Sequence, residues 1–147
     1  MEADSLTQSE ADFLLKLEKI LTDKTLCKYP LCGEKVSIPL TSKDKRETFT
    51  LDINRSSMEL EKNTYLNRTR GTIILARLDI GGPGHRNPDL TEIPGDHIHI
   101  YKENWNDKWA YILPVQFNGC KTPIDCLDAF MDFCNIIEKP HFEEALI

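Results

Sequence analysis

Apolar positions along the chain change their period near Thr22. Between Ser9 and Leu21, Phe13, Leu14, Leu17, Ile20 and Leu21 recur every three or four residues. That spacing predicts a helix with one buried stripe, with Ser9 as its cap and Asp12 three residues on. Beyond Thr22 the period becomes two. Val36, Ile38 and Leu40 alternate with Ser37, Pro39 and Thr41, which predicts a short strand, placed at a sheet edge by Pro39. Phe49, Leu51 and Ile53 predict a second strand with one wet face. Leu66 to Ile80 is the strongest strand region, with a break at Gly71. His97 to Glu103 and Lys108 to Val115 predict two more strands around the turn Asn104-Trp105-Asn106-Asp107. Thr122 and Pro123 open a final helix, with Ile124, Leu127, Phe130, Met131 and Cys134 on one face. The pattern implies an α+β fold: an antiparallel, bent β-meander of about five strands flanked by N- and C-terminal helices. One domain over 1–147 is expected, with loose ends near 1–7 and 139–147.

The unusual chemistry gathers between Arg77 and Glu103, which holds three of the four histidines and four of the seven glycines. Strand alternation sorts these residues. Ile74, Ala76, Leu78 and Ile80 form an apolar face, and Arg77 and Asp79 point the other way. In the next strand Ile98 and Ile100 are apolar, while His97, His99 and Tyr101 share the opposite face. Pairing of the two strands would unite Arg77, Asp79, His97, His99 and Tyr101 on one polar surface. The connection Gly81 to Asp96 would hang over it, carrying His85, Arg86 and Asn87.

Composition narrows the functional classes. A chain of 147 residues with 40% hydrophobic and 29% charged residues can build one core without a metal or disulfide. The net charge of −6 argues against broad nucleic-acid binding and leaves room for a local cationic cleft. The longest apolar run, Ile73-Ile74-Leu75-Ala76, is too short to cross a bilayer, and the acidic first ten residues do not read as an export signal. Five cysteines at loose spacings favour structural thiols over a disulfide or a zinc pair at Cys27 and Cys32, with Cys126 and Cys134 inside an apolar helical pattern as core residues. These features point to the cytoplasm.

Three functions compete for the histidine segment. Metal-independent cleavage of an RNA phosphodiester needs a base, an acid and cations for the phosphate. His85, His97 and His99 suit the proton roles, with Tyr101 as a hydrogen-bond donor. Arg77 and Arg86 suit the phosphate, and Asp79 and Asn87 suit orientation. This reading uses no cofactor. Its partner is an RNA substrate, with a protein antitoxin as a second partner and no membrane. Alternatively, His97, His99 and Glu103 match the first ligand cluster of a cupin-like metal enzyme. A non-catalytic protein-binding module, such as a defence or anti-defence inhibitor, is the third.

The segments Arg77 to Asp89, His97 to Glu103 and Asp107 to Ala110 resemble an uncharacterised family of small bacterial proteins. The shared pattern is Arg-Leu-Asp-x-Gly-Gly-Pro-x-His-Arg-Asn-Pro-Asp, then His-x-His-x-Tyr-x-Glu, then Asp-Lys-Trp-Ala. Family members often carry glycine after the Asn-Pro-Asp, where this chain has Leu90, so this loop is expected to turn differently. The helix-then-meander layout is also similar to bacterial endoribonuclease toxins of the RelE and colicin type. That likeness implies a toxin–antitoxin or phage-defence setting, with an antitoxin covering the basic surface.

Overall fold

The computed structural model describes residues 5–24, 26–57 and 62–143. Its centre is a seven-stranded antiparallel sheet built almost wholly as a meander: β1 (Lys19–Leu21), β2 (Lys35–Ser42), β3 (Thr48–Arg55), β4 (Asn63–Thr69), β5 (Ile73–Ile80), β8 (His97–Ile100) and β9 (Ala110–Ile112). A separate two-stranded hairpin, β6 (His85–Arg86) and β7 (Glu92–Ile93), rises from the connection between β5 and β8. Helices α1 (Gln8–Lys16) and α2 (Pro123–Phe133) complete the α+β fold.

Cross-strand register separates the two faces of the sheet. Ile53, Tyr65, Leu78 and Ile98 stand opposite one another across four strands and are fully buried. They join Ala11 and Leu14 of α1 and Leu127, Phe130 and Met131 of α2 in one core. The neighbouring rows face the other way: Asp52, Leu66, Arg77 and His99 in one, Asn54, Thr64, Asp79 and His97 in the next. The predicted alternation therefore delivers Arg77, Asp79, His97 and His99 to one surface.

The ends of the helices depart from the pattern. α1 is capped by Thr7, whose hydroxyl accepts from Glu10 N–H while the Glu10 carboxylate accepts from Thr7 N–H. This Thr-x-x-Glu box outcompetes the Ser9-x-x-Asp12 pattern. The helix stops at Lys16, and Lys19 to Leu21 pair with Ser42 to Leu40 instead. Apolar residues at 17, 20 and 21 fit either period, and pairing with β2 decides. β2 is consequently the second strand, although β1 covers it only from Leu40 to Ser42. α2 follows its pattern, with Pro123 first and Thr122 capping Asp125 N–H, although Ile124 is exposed.

The expected loose ends are partly anchored. Leu6 is buried, and its N–H and C=O both bond the Tyr101 hydroxyl. Near the other end, Cys27 N–H donates to His141 O and Glu143 N–H donates to Cys27 O, and Phe142 packs edge-on to Tyr29. Residues 1–4 and 144–147 lie outside the described residues. No disulfide is present among the described residues.

Candidate functional site

β5 and β8 pair so that Arg77 stands opposite His99 and Asp79 opposite His97. Both histidines are almost fully buried, at 4% and 2% exposure, because the β6–β7 hairpin folds over this end of the sheet. The hairpin brings in His85, whose ring centroid lies 4.7 Å from that of His99 and 5.7 Å from that of His97. One ring nitrogen from each of the three lies within 4.8 Å of the others.

Each imidazole is held through one nitrogen by a backbone carbonyl. His97 Nδ1 lies 2.9 Å from Gly95 O, His99 Nδ1 2.7 Å from Asp107 O, and His85 Nε2 3.0 Å from Lys108 O. A carbonyl only accepts, so these nitrogens carry the ring proton. The opposite nitrogens are left for the site. His97 Nε2 and His99 Nε2 lie 3.3 and 3.2 Å from the same oxygen, Asp79 Oδ2. His99 Nε2 lies off the line of a hydrogen bond and has no partner of that kind.

Asp79 is itself fixed. Thr64 Oγ1 donates to Oδ1 at 2.8 Å, and Arg77 Nε donates to Oδ2 at 3.0 Å. Burial pushes its carboxyl up, but the contact with His99, the Arg77 guanidinium and the Thr64 hydroxyl outweigh it and hold Asp79 well below the usual carboxylate range. Burial lowers His85 below the ordinary histidine value, and its bond to Lys108 O offsets this only in part.

A cavity of about 170 Å³ opens beside this group, lined by Lys62, Thr64, Arg77, Asp79, His85 and His97 among others. Its outer wall is the Gly81–Gly84 loop. Gly84 is required there, because a side chain would collide with the Ile93 carbonyl across the hairpin. The hairpin is docked by Asn87, whose side chain donates to Ala110 O at 3.0 Å and accepts from Ala110 N at 2.8 Å. Asn87 thus orients the element that carries His85.

Three expected residues stand elsewhere. Tyr101 does not share the histidine face. β5 carries one extra residue at Leu75 relative to β4, so Leu75 and Ala76 are both buried. Tyr101 N–H bonds Leu75 O at 2.9 Å and follows this switch into the core. Arg86 points to the outer side of the hairpin and bonds Glu92 Oε1 at 2.7 Å. Glu103 lies at the start of α1, where it accepts from Gln8 N at 2.7 Å, away from His97 and His99. Conversely, Lys62, Thr64 and Asp107 belong to the site although the pattern did not select them. Thr64 had a visible signal, since it stands opposite Asp79 in the register.

Leu90 adopts φ 74°, the left-handed conformation that glycine favours. The loop therefore turns through a backbone conformation that glycine adopts at no steric cost. Asp89 Oδ1 secures it, accepting from Thr91 N at 3.0 Å and from Thr91 Oγ1 at 2.6 Å.

No helix among the described residues is long and apolar enough to cross a membrane. No curated protein and no solved structure matches the chain. Residues 6–136, which include the core, the hairpin and all three clustered histidines, match a family of unknown function, DUF6978, and the chain belongs to that family.

Proposed function

We propose that the cavity cleaves RNA phosphodiester bonds by metal-independent acid–base chemistry. The observation that carries this reading is the convergence of two imidazoles, His85 and His97, with two cations, Arg77 and Lys62, on one cavity. His85 keeps its proton on Nε2, which leaves Nδ1 as the lone pair that takes the 2′-hydroxyl proton. The freed oxygen attacks phosphorus, the bond to the 5′-oxygen breaks, and a 2′,3′-cyclic phosphate remains. His97, as an imidazolium steadied by Asp79, protonates the departing 5′-oxygen. Arg77 and Lys62 balance the charge on the phosphorane. His99 and Asp79 position the pair. We place this activity in the cytoplasm, in a bacterial toxin–antitoxin or phage-defence system, on the helix-then-meander layout for which the sequence suggested a likeness to RelE- and colicin-type toxins.

Labelled single-stranded RNA, incubated with purified protein in the presence of a chelator, tests this. Cleavage to cyclic-phosphate ends is expected, falling at least about a hundredfold in His85→Ala and His97→Ala. No cleavage by the unaltered protein, or equal cleavage by both variants, overturns the reading.

A protein partner has its own support. Ile112 and Val115 are 72% and 77% exposed beside β9, next to half-exposed Tyr111. Such an apolar strip suits an antitoxin that covers the hairpin end of the sheet. Recovery of one stoichiometric partner that is lost in Ile112→Asp checks it.

A further inference from the structure

The three histidines share a property that acid–base chemistry does not require. In each, one nitrogen donates to a backbone carbonyl, at 2.9, 2.7 and 3.0 Å, and one ring nitrogen of each lies within 4.8 Å of the others. This is how proteins hold metal-ligating histidines, with the outer N–H fixed by an acceptor so that the inner lone pair faces the ion. Asp79 is held on both oxygens, with Thr64 on Oδ1 and Arg77 on Oδ2, the oxygen that also faces the two imidazoles. We propose that His85, His97, His99 and Asp79 together bind one divalent transition-metal ion of the zinc class, and that the occupied site is the resting form of the protein.

Donor spacing supports the first statement. Around a tetrahedral ion with bonds near 2.0 Å, donor atoms stand about 3.3 Å apart. Asp79 Oδ2 lies 3.3 Å from His97 Nε2 and 3.2 Å from His99 Nε2. His85, on a two-residue strand over the site, supplies the fourth donor within 4.8 Å of the other imidazoles.

The unpartnered nitrogen gives a second argument. His99 is 2% exposed, and its Nε2 has no hydrogen-bond partner. A bound ion would supply the partner that this buried atom lacks. The pairing of Arg77 with Asp107 at 3.4 Å draws part of that guanidinium away from the site. Three imidazoles and one carboxylate favour zinc, cobalt, nickel or copper over magnesium or calcium, which prefer all-oxygen shells.

The second statement rests on the RNA-cleavage reading. Four protein donors close a tetrahedral shell and leave no open position for water or phosphate. The ion also takes the lone pairs that proton transfer needs. Metal and catalysis then exclude one another, and release of the ion is the activating event. Against the cupin-like expectation of His97, His99 and Glu103, this set adds His85 and Asp79 and drops Glu103, which serves α1.

The test uses the full chain, stripped with a chelator and titrated with Co²⁺, with visible absorption as the readout and Zn²⁺ as the competitor. One equivalent of Co²⁺ giving intense tetrahedral bands, displaced by one equivalent of Zn²⁺, is expected. His85→Ala, a partly exposed position, should weaken binding at least tenfold while circular dichroism stays unchanged. His99→Gln should do the same, and Tyr101→Phe should bind like the parent. Spectra of hydrated cobalt only, or binding indifferent to both histidine substitutions, overturns the site. RNA cleavage is then compared in the stripped and zinc-loaded protein. Activity confined to the stripped form supports the resting-state assignment, and equal or greater activity with zinc overturns it. Metal binding with no cleavage in either form leaves the site standing and removes both the cleavage reading and the resting-state assignment.

Discussion

Two groups of buried polar side chains sit on opposite faces of the sheet, and they are finished differently. On the core face, Lys19 is fully buried, yet its ammonium donates to Leu15 O, Leu17 O and Cys134 O at 2.9, 2.8 and 2.7 Å. It ties the end of α1 to the end of α2 and leaves no donor over. On the other face, each of three imidazoles uses one nitrogen and leaves the other for the site. The contrast teaches that burial alone does not distinguish a fastening from a candidate site, and that the bonding left over has to be read together with what surrounds it. Lys19 is a fastening, and the histidines are the proposed receptor.

The comparison can be broken by substitution, and the largest effect belongs to the completed group. Lys19→Met should lower stability by about 3 kcal/mol in urea melts, because three carbonyls lose their donor. A pH series sharpens this. Burial brings Lys19 down to about 8 in the fold, against about 10.4 in the unfolded chain. Between those values the unfolded chain binds more protons, so the parent gains stability as pH rises through this window. Lys19→Met should lack that slope.

Tyr101 comes next. Its hydroxyl both donates to Leu6 O and accepts from Leu6 N, at 2.8 Å each. Tyr101→Phe should cost about 1.5 kcal/mol while leaving metal binding and RNA cleavage at parent levels, since the ring lies on the far side of the sheet. His99→Leu should cost less than about 1 kcal/mol, despite equal burial, because it removes an unpartnered nitrogen along with one hydrogen bond. Its effect should instead fall on Co²⁺ affinity. The smallest change is expected in the turn of the β6–β7 hairpin. Leu90 is exposed and left-handed, so Leu90→Gly should stabilise the protein by about 0.5 kcal/mol.

Much of this arrangement was legible in the sequence because strand alternation is a two-valued rule. It sorted Arg77, Asp79, His97 and His99 correctly, and it identified the dry sides of β3 and of β5 from Ala76 onward; Ile74, expected on the apolar face, lies beyond the extra residue opposite Arg68, and Ile73 and Leu75 enter the core instead. The rule fails where the chain gains a residue. The extra residue at Leu75 leaves no mark in a run of four apolar side chains, and it sends Tyr101 to the core. Short elements were also hidden. β1 reads as the tail of a helix, and β6 and β7 hold two residues each, too few for any period. The roles of Arg86 and Glu103 depend on Glu92 and Gln8. One-dimensional pattern cannot weigh such partners, because charge pairing is settled by which side of a turn each side chain leaves.

The Asn87 staple has a consequence for assembly. An amide with one donor and one acceptor imitates a peptide group, and here it occupies the outward N–H and C=O of Ala110 on the last strand of the meander. Those are the groups a neighbouring molecule would use to prolong the sheet. The chain thus blunts its own border with a single side chain, and β-ribbon polymerisation is discouraged at the very margin where the hairpin is fastened.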